Sequence, residues 1–208
     1  MPSDQRASFG EWIFAFAKVA LGAALVWGMA PLVPLEYMQA WVGMAGLAFL
    51  LHFGSFHVLS CAWRALGVNA RPLMDWPVLA DSVSDFWSKR WNLAFRDLTH
   101  RFLFRPLVAR GFARGGLLAV FVFSGVVHDA VISLPAGGGY GLPTAYFTLQ
   151  ALALFCERSR FGKRIGLGKG VIGRLFTAIV VLGPASALFH PWFARNVIVP
   201  FLAVIGAT

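Results

Sequence analysis

Apolar stretches long enough to cross a lipid bilayer decide what this chain can fold into. Four of them are Trp12 to Val33, Tyr37 to Leu59, Leu117 to Leu134 and Val171 to Phe189. A helix rises about 1.5 Å per residue and the hydrocarbon layer is about 30 Å thick, so a span needs roughly 20 residues with every backbone polar group bonded inside the helix. The composition fits: 58% of the 208 residues are hydrophobic and 13% charged, against about 45 to 50% and about 25% in soluble domains. Two further stretches, Thr144 to Cys156 and Asn196 to Thr208, have only 13 residues each and are expected to be tilted, partly inserted or re-entrant. In chain order these make six segments, of which 4 and 6 are the short ones. The fold class that follows is all-α: a polytopic integral membrane protein with about five or six transmembrane or re-entrant helices and interfacial helices on the cytoplasmic side. No internal repeat or long linker interrupts the chain, so residues 1–208 are expected to form a single membrane-embedded domain.

Charge placement orients the segments. Of 18 Lys and Arg, nine lie between Arg64 and Arg114 and six between Arg158 and Arg174. Basic loops stay in the cytoplasm, so both stretches are expected there. Segments 3 and 4 then form a hairpin whose tip is the uncharged "SLPAGGGYGLP", and the N-terminus is cytoplasmic. The net charge of +9 is accounted for by topology, and no nucleic-acid partner is expected. Arg outnumbers Lys 14 to 4, which suits a GC-rich bacterial source and an inner-membrane location. Segment 1 has no A-x-A cleavage site and reads as a retained anchor, with Lys18 snorkelling to the inner interface.

Ionisable residues inside apolar helices mark candidate chemistry, because a carboxylate near mid-membrane costs about 2.5 to 3.5 kcal/mol on insertion scales. Segment 3, "LLAVFVFSGVVHDAVISL", carries such a pair in His128 and Asp129. Neighbouring helical residues point about 100° apart, so Asp129 is not expected to orient His128. Ser124 shares the face of His128, and Gly125 leaves room for a helix or ligand to approach. His52 and His57 are five residues apart and face different ways, which argues for packed histidines over a metal site. Cys61 and Cys156 have no paired spacing and read as packing residues. "GKRIGLGKG" (Gly162 to Gly170) lacks the Ser or Thr and the preceding strand of a phosphate loop, and reads as a cytoplasmic turn. "LAFRDLTHRFLFRPLVARGF", after Asn92, mixes aromatics and arginines as an interfacial helix does; the same cations suit a phosphorylated substrate.

Two stretches together resemble a known family. "FWSKRWN" (Phe86 to Asn92) is similar to the aromatic, aromatic, x, x, x, Trp, Asn signature of membrane-bound O-acyltransferases, closest to its wax-synthase-like branch. "SGVVHDA" (Ser124 to Ala130) resembles the family's Ser-small-x-x-His-acidic helix, and "RPLMDWPVLADSVSDFW" resembles the Pro-rich approach of wax synthases. The resemblance implies acyl transfer from a thioester, usually acyl-CoA, to the hydroxyl of a lipophilic alcohol, in the lipid bilayer and without a metal or other cofactor. His128 matches the family's membrane-embedded catalytic histidine and Asn92 its second motif residue. Phe86, Trp87, Lys89, Arg90, Trp91, Ser124 and Asp129 are the expected substrate-binding residues, with Lys89 and Arg90 meeting the phosphates of CoA. Asp129 alternatively holds a neighbouring helix. The chain is short for this family, which bears on the size of the acceptor: a fatty alcohol, a diacylglycerol, a sterol or terpenoid alcohol, or a hydroxylated natural product.

The residue chemistry agrees independently. A neutral imidazole accepts the proton of an attacking alcohol, burial in a membrane helix keeps competing water away from the thioester, and a carboxamide donates to a developing oxyanion. A rival class is a non-catalytic membrane subunit or small transporter using His128 and Asp129 as an intramembrane polar site. A transporter predicts internally repeated half-helices, and none is visible. Oligomeric state is not legible in the chain.

Overall fold

The computed structural model describes residues 6–208, apart from the side chains of Ala113 and Arg114. The first five residues of the expected 1–208 domain lie outside the described residues, as does the Arg114 side chain of the first basic stretch. All regular structure among the described residues is helical. Four helices are long and apolar enough to cross a membrane: Phe9–Leu32, Glu36–Ala65, Gly115–Ala136 and Gly170–Leu188. They coincide with segments 1, 2, 3 and 5. Segment 4 is one continuous 17-residue helix, Leu142–Arg158, about 25 Å long at 1.5 Å per residue. Segment 6 belongs to a shorter apolar helix, Pro191–Val204. The contacts divide the chain into two compact units, residues 6–74 with 194–208, and residues 75–193.

In the first unit, segment 1 starts where the Ser8 hydroxyl accepts the Glu11 N–H at 3.2 Å, filling one of the donors a helix start leaves open. Segments 1 and 2 touch through small residues. A Cβ on Gly22 would lie 2.5 Å from the Leu50 nitrogen, and one on Gly46 would lie 2.7 Å from Val26 Cγ2. In lipid, where apolar surface gains little by hiding, such close backbone packing holds helices together. The Trp27 indole N–H donates to the Ile205 carbonyl at 2.9 Å. Lys18 does not reach out alone to the interface. It donates to His57 Nδ1 at 2.8 Å and lies over the Phe14 ring at 4.3 Å. His57 Nε2–H in turn donates to Glu11 at 3.1 Å, and Arg64 also pairs with that carboxylate. Tertiary packing thus brings Glu11, His57 and Cys61 together with donor atoms within 4.8 Å, a grouping that chain spacing does not reveal. The fixed charges of Lys18 and Arg64 in the same cluster make it an ion-pair network.

In the second unit, segments 3 and 4 form the expected hairpin. Gly125 serves a helix: a Cβ there would lie 2.5 Å from the Thr144 Cα. Asp129 fastens the turn by accepting the Gly141 N–H at 2.8 Å, the Thr144 N–H at 3.1 Å and the Thr144 hydroxyl. A carboxylate at the open N–H groups of a helix start is stabilising, about 0.3 to 1 kcal/mol through the dipole alone when exposed. Ser133 donates to the same carboxylate at 2.8 Å, and His190 lies 3.1 Å from the Ser133 hydroxyl. The middle of segment 5 runs beside segment 4, with Tyr146 donating to the Val181 carbonyl at 3.1 Å and Gln150 to the Val180 carbonyl at 2.9 Å. The core gathers Val83, Phe121, Ile132, Tyr146, Phe147 and Leu154.

A cavity shared by His128 and Asn92

The segment that carries "FWSKRWN" begins as a helix at Val83, capped twice over. Ser82 Oγ accepts the Asp85 N–H at 2.9 Å, and the buried Glu157 carboxylate accepts the Val83 N–H at 2.6 Å and the Ser84 N–H at 3.3 Å. Arg158 adds a bond to Ser84 Oγ at 2.8 Å. Phe86–Arg90 continues as a wider π-type turn, a form that recurs at functional sites. Trp91 is extended and Asn92 turns left-handed at φ 41°, a conformation that Asn tolerates better than most residues. The Asn92 carboxamide oxygen accepts the Phe95 N–H at 3.2 Å and starts the helix Leu93–Thr99. Asn92 is therefore a helix cap as well as a cavity residue.

His128 ends the regular α-helix of segment 3, just before a π-type turn over Asp129–Ser133. Its Nδ1 lies 2.6 Å from the Ser124 carbonyl oxygen. A carbonyl only accepts, so Nδ1 carries the hydrogen and the neutral ring keeps its lone pair on Nε2. Among the described residues nothing bonds Nε2. The ring lies against Phe147 at 4.4 Å between centroids.

These parts surround one cavity of about 330 Å³. Its wall includes His128 and Ser124 from segment 3, Trp87, Trp91 and Asn92 from the motif, and Phe147 and Leu154 from segment 4. Phe95, Arg96, Thr99, His100 and Phe104 line it from the stretch after Asn92, with Leu117, Val120 and Phe121 from segment 3. Ser84, Ser88 and Arg158 complete the lining. Nine of the 18 lining residues are aromatic or aliphatic and nine are polar or charged, so the cavity offers an apolar wall together with more polar groups than a purely lipid pocket needs.

Of the residues expected from the sequence, the structure brings His128, Asn92, Trp87, Trp91 and Ser124 together on this cavity, while Phe86, Lys89, Arg90 and Asp129 are not among its lining. Phe86 is buried and stacks on Trp91 at 5.4 Å. Arg90 bonds Asp85 at 2.5 Å and the Trp76 carbonyl at 3.2 Å, so its charge is spent on folding the approach to the motif. Lys89 is 75% exposed and 3.9 Å from Asp85. Asp129 is occupied by the hairpin turn, the helix-holding role expected as its alternative. The cavity's cationic side chains are Arg96 and Arg158 instead. Arg96 sits in the basic stretch whose phosphate reading the sequence suggests, Arg158 opens the second basic stretch and Ser84 lies in the Pro-rich approach to the motif; Phe147 and Leu154 carry no local motif.

Helices able to span a bilayer and a cavity lined by both a histidine of one such helix and an amide define the class, an integral membrane protein with a polar site beside a spanning helix. Comparison with known proteins narrows it. Residues 70–155 match the model described as "Membrane bound O-acyl transferase family". The chain is 26% identical over 95% of its length to "Probable long-chain-alcohol O-fatty-acyltransferase 3" of Arabidopsis thaliana, covering 61% of that protein. It is 29% identical over 64% of its length to "Probable long-chain-alcohol O-fatty-acyltransferase 9" of the same plant, covering 42% of it. It is 27% identical over 65% of its length to "Long-chain-alcohol O-fatty-acyltransferase" of Simmondsia chinensis, again covering 42%. The chain thus spans about half the length of the curated relatives it matches. No solved structure matches it. Residues 70–155, which hold both motifs, are thus similar to the membrane-bound O-acyl transferase family, and the relatives the chain resembles are long-chain-alcohol O-fatty-acyltransferases by name.

Proposed function

We propose that this protein transfers a fatty acyl group from acyl-CoA to the hydroxyl of a lipophilic alcohol, with His128 as general base and Asn92 as its partner. The observation that carries the reading is the shared cavity, in which an imidazole whose Nδ1–H is committed to the Ser124 carbonyl offers Nε2 as a base. In the proposed step Nε2 takes the alcohol proton as the oxygen attacks the thioester carbonyl. The tetrahedral intermediate then collapses, the C–S bond breaks, and the imidazolium returns its proton to the departing sulfur. The Asn92 carboxamide N–H₂ donates to the carbonyl oxygen as it gains charge. Arg96 and Arg158 are the proposed phosphate contacts for CoA, in place of Lys89 and Arg90. The aromatic wall takes the acyl chain or the acceptor. The proposed setting is a bacterial inner membrane with the basic stretches and the N-terminus cytoplasmic, a reading supported by charge placement and the excess of Arg over Lys.

The test supplies labelled acyl-CoA and a panel of alcohols to purified protein and to a folded His128→Ala variant. Ester formation by the parent alone supports the proposal; equal rates in both remove His128 from the chemistry.

A further inference from the structure

Gln150 is fully buried (0% exposed) in the middle of the segment 4 helix, and the proposed chemistry makes no use of it. A carboxamide without partners in such a place is costly, so both of its ends need bonds. Gln150 Nε2 donates to the Val180 carbonyl at 2.9 Å. Val180 lies in the last turn of the helix Gly170–Leu182, where carbonyls lack a partner within the helix. Gln150 Oε1 accepts the Trp87 indole N–H at 3.3 Å. One side chain therefore ties the last regular turn of Gly170–Leu182, within segment 5, to the motif tryptophan on the cavity wall.

The tie continues toward His128. Trp87 stands edge-on to Phe121 at 5.8 Å and 89° and lies 5.6 Å from Phe147. Phe147 is the ring against which His128 lies. Ring contacts are attractive but shallow, about 0.5 to 1.5 kcal/mol per pair, whereas an N–H bond has a direction. Of these aromatic residues Trp87 has a polar tether, and Gln150 is its anchor.

We propose that Gln150 is a positioning residue for the cavity: by fixing the Trp87 indole against the last turn of Gly170–Leu182, it sets the aromatic wall that holds the His128 ring at its working angle. This rests on the acyl-transfer reading for its effect on rate, but not for its effect on geometry.

The test uses three variants of the full chain. Gln150→Leu removes both bonds. Gln150→Asn keeps the amide but is one methylene too short to reach both partners. Gln150→Glu, neutral when buried, keeps an acceptor for the indole and an O–H donor for Val180. Because misplacement by about 1 Å costs up to about 100-fold, kcat for ester formation is expected to fall about tenfold in the Leu and Asn variants. It should stay within about twofold of the parent in the Glu variant, with the KM for acyl-CoA nearly constant throughout. Adding Trp87→Phe to Gln150→Asn should cost little beyond the larger single loss, since both break one bond. Full additivity, or parental kcat in both the Leu and Asn variants, overturns the proposal. A readout independent of activity is the rate at which diethyl pyrocarbonate modifies His128, mapped by peptide mass spectrometry with His52 as internal reference. A changed His128 rate in Gln150→Asn with a constant His52 rate supports positioning; an unchanged ratio contradicts it. If the parent forms no ester, the acyl-transfer reading fails and this ratio alone decides the role of Gln150. If the Leu variant does not fold, the Asn variant and the Trp87→Phe cycle decide in its place.

Discussion

His57 has a partner at each ring nitrogen, Lys18 at Nδ1 and Glu11 at Nε2, whereas His128 has one, the Ser124 carbonyl at Nδ1. Both sit in helices apolar enough to cross a membrane, and residue type alone does not separate them. The difference lies in what the second nitrogen meets. Around His57, Lys18, Glu11 and Arg64 are bonded into one network that ties segment 1 to segment 2. Around His128, one bond fixes the tautomer and the ring borders a cavity shared with Asn92. A histidine with both nitrogens engaged is a fastening. One with a single fixed nitrogen and a cavity beside it is equipped to move a proton.

Paired substitutions sharpen this contrast. The largest effect is expected from His128→Ala, a fall in ester formation of about 100- to 10,000-fold, the usual share of a general base, read as initial rate with labelled acyl-CoA. Asn92→Gly comes next. Glycine accepts the left-handed backbone and costs a cap only a few tenths of a kcal/mol, so activity should drop about 100-fold, as loss of an oxyanion donor would cause, with the melting transition nearly unmoved. A matched drop in stability would make Asn92 a cap and nothing more. Arg158→Ala and Arg96→Ala should each raise the KM for acyl-CoA about tenfold, the loss of one charge-assisted contact, while Lys89→Ala changes it less than about twofold, as suits an exposed charge. His57→Ala should do the reverse of His128→Ala. Stability in detergent falls by about 1 to 3 kcal/mol because the groups around it lose a partner, and the rate per folded molecule is unchanged. A rate loss in His57→Ala as large as that in His128→Ala would erase the distinction.

The long spans were legible because apolar length is a property of the chain alone, and the two motifs were legible because each is local. What escaped depends on residues meeting across the fold. Segment 4 looked like a doubtful 13-residue run, since Gln150 and Glu157 interrupt or end its apolar pattern. Those same polar groups bond the Trp87 indole and the Val83 N–H, which makes this helix the support of the cavity. Arg90 reads as a phosphate contact from its neighbours in sequence, but the chain before the motif folds back and Asp85 and the Trp76 carbonyl take its donors. In sequence Asp129 reads equally as a substrate contact or as a holder of a neighbouring helix, and the Gly141 and Thr144 N–H groups that occupy it favour the second. The grouping of Glu11, His57 and Cys61 likewise has no signature in spacing, because it joins two helices.

The central claim is that thioester and alcohol meet between His128 and Asn92, and its most direct measurement is the site labelled by an acyl-CoA whose photoreactive group sits next to the thioester carbon. Irradiation followed by peptide mapping should place the adducts on the cavity wall, at Trp87, Trp91, Ser124 or Phe147, and unlabelled acyl-CoA should compete them away. Competable adducts confined to residues 6–74, around Lys18 and Arg64, would contradict the account.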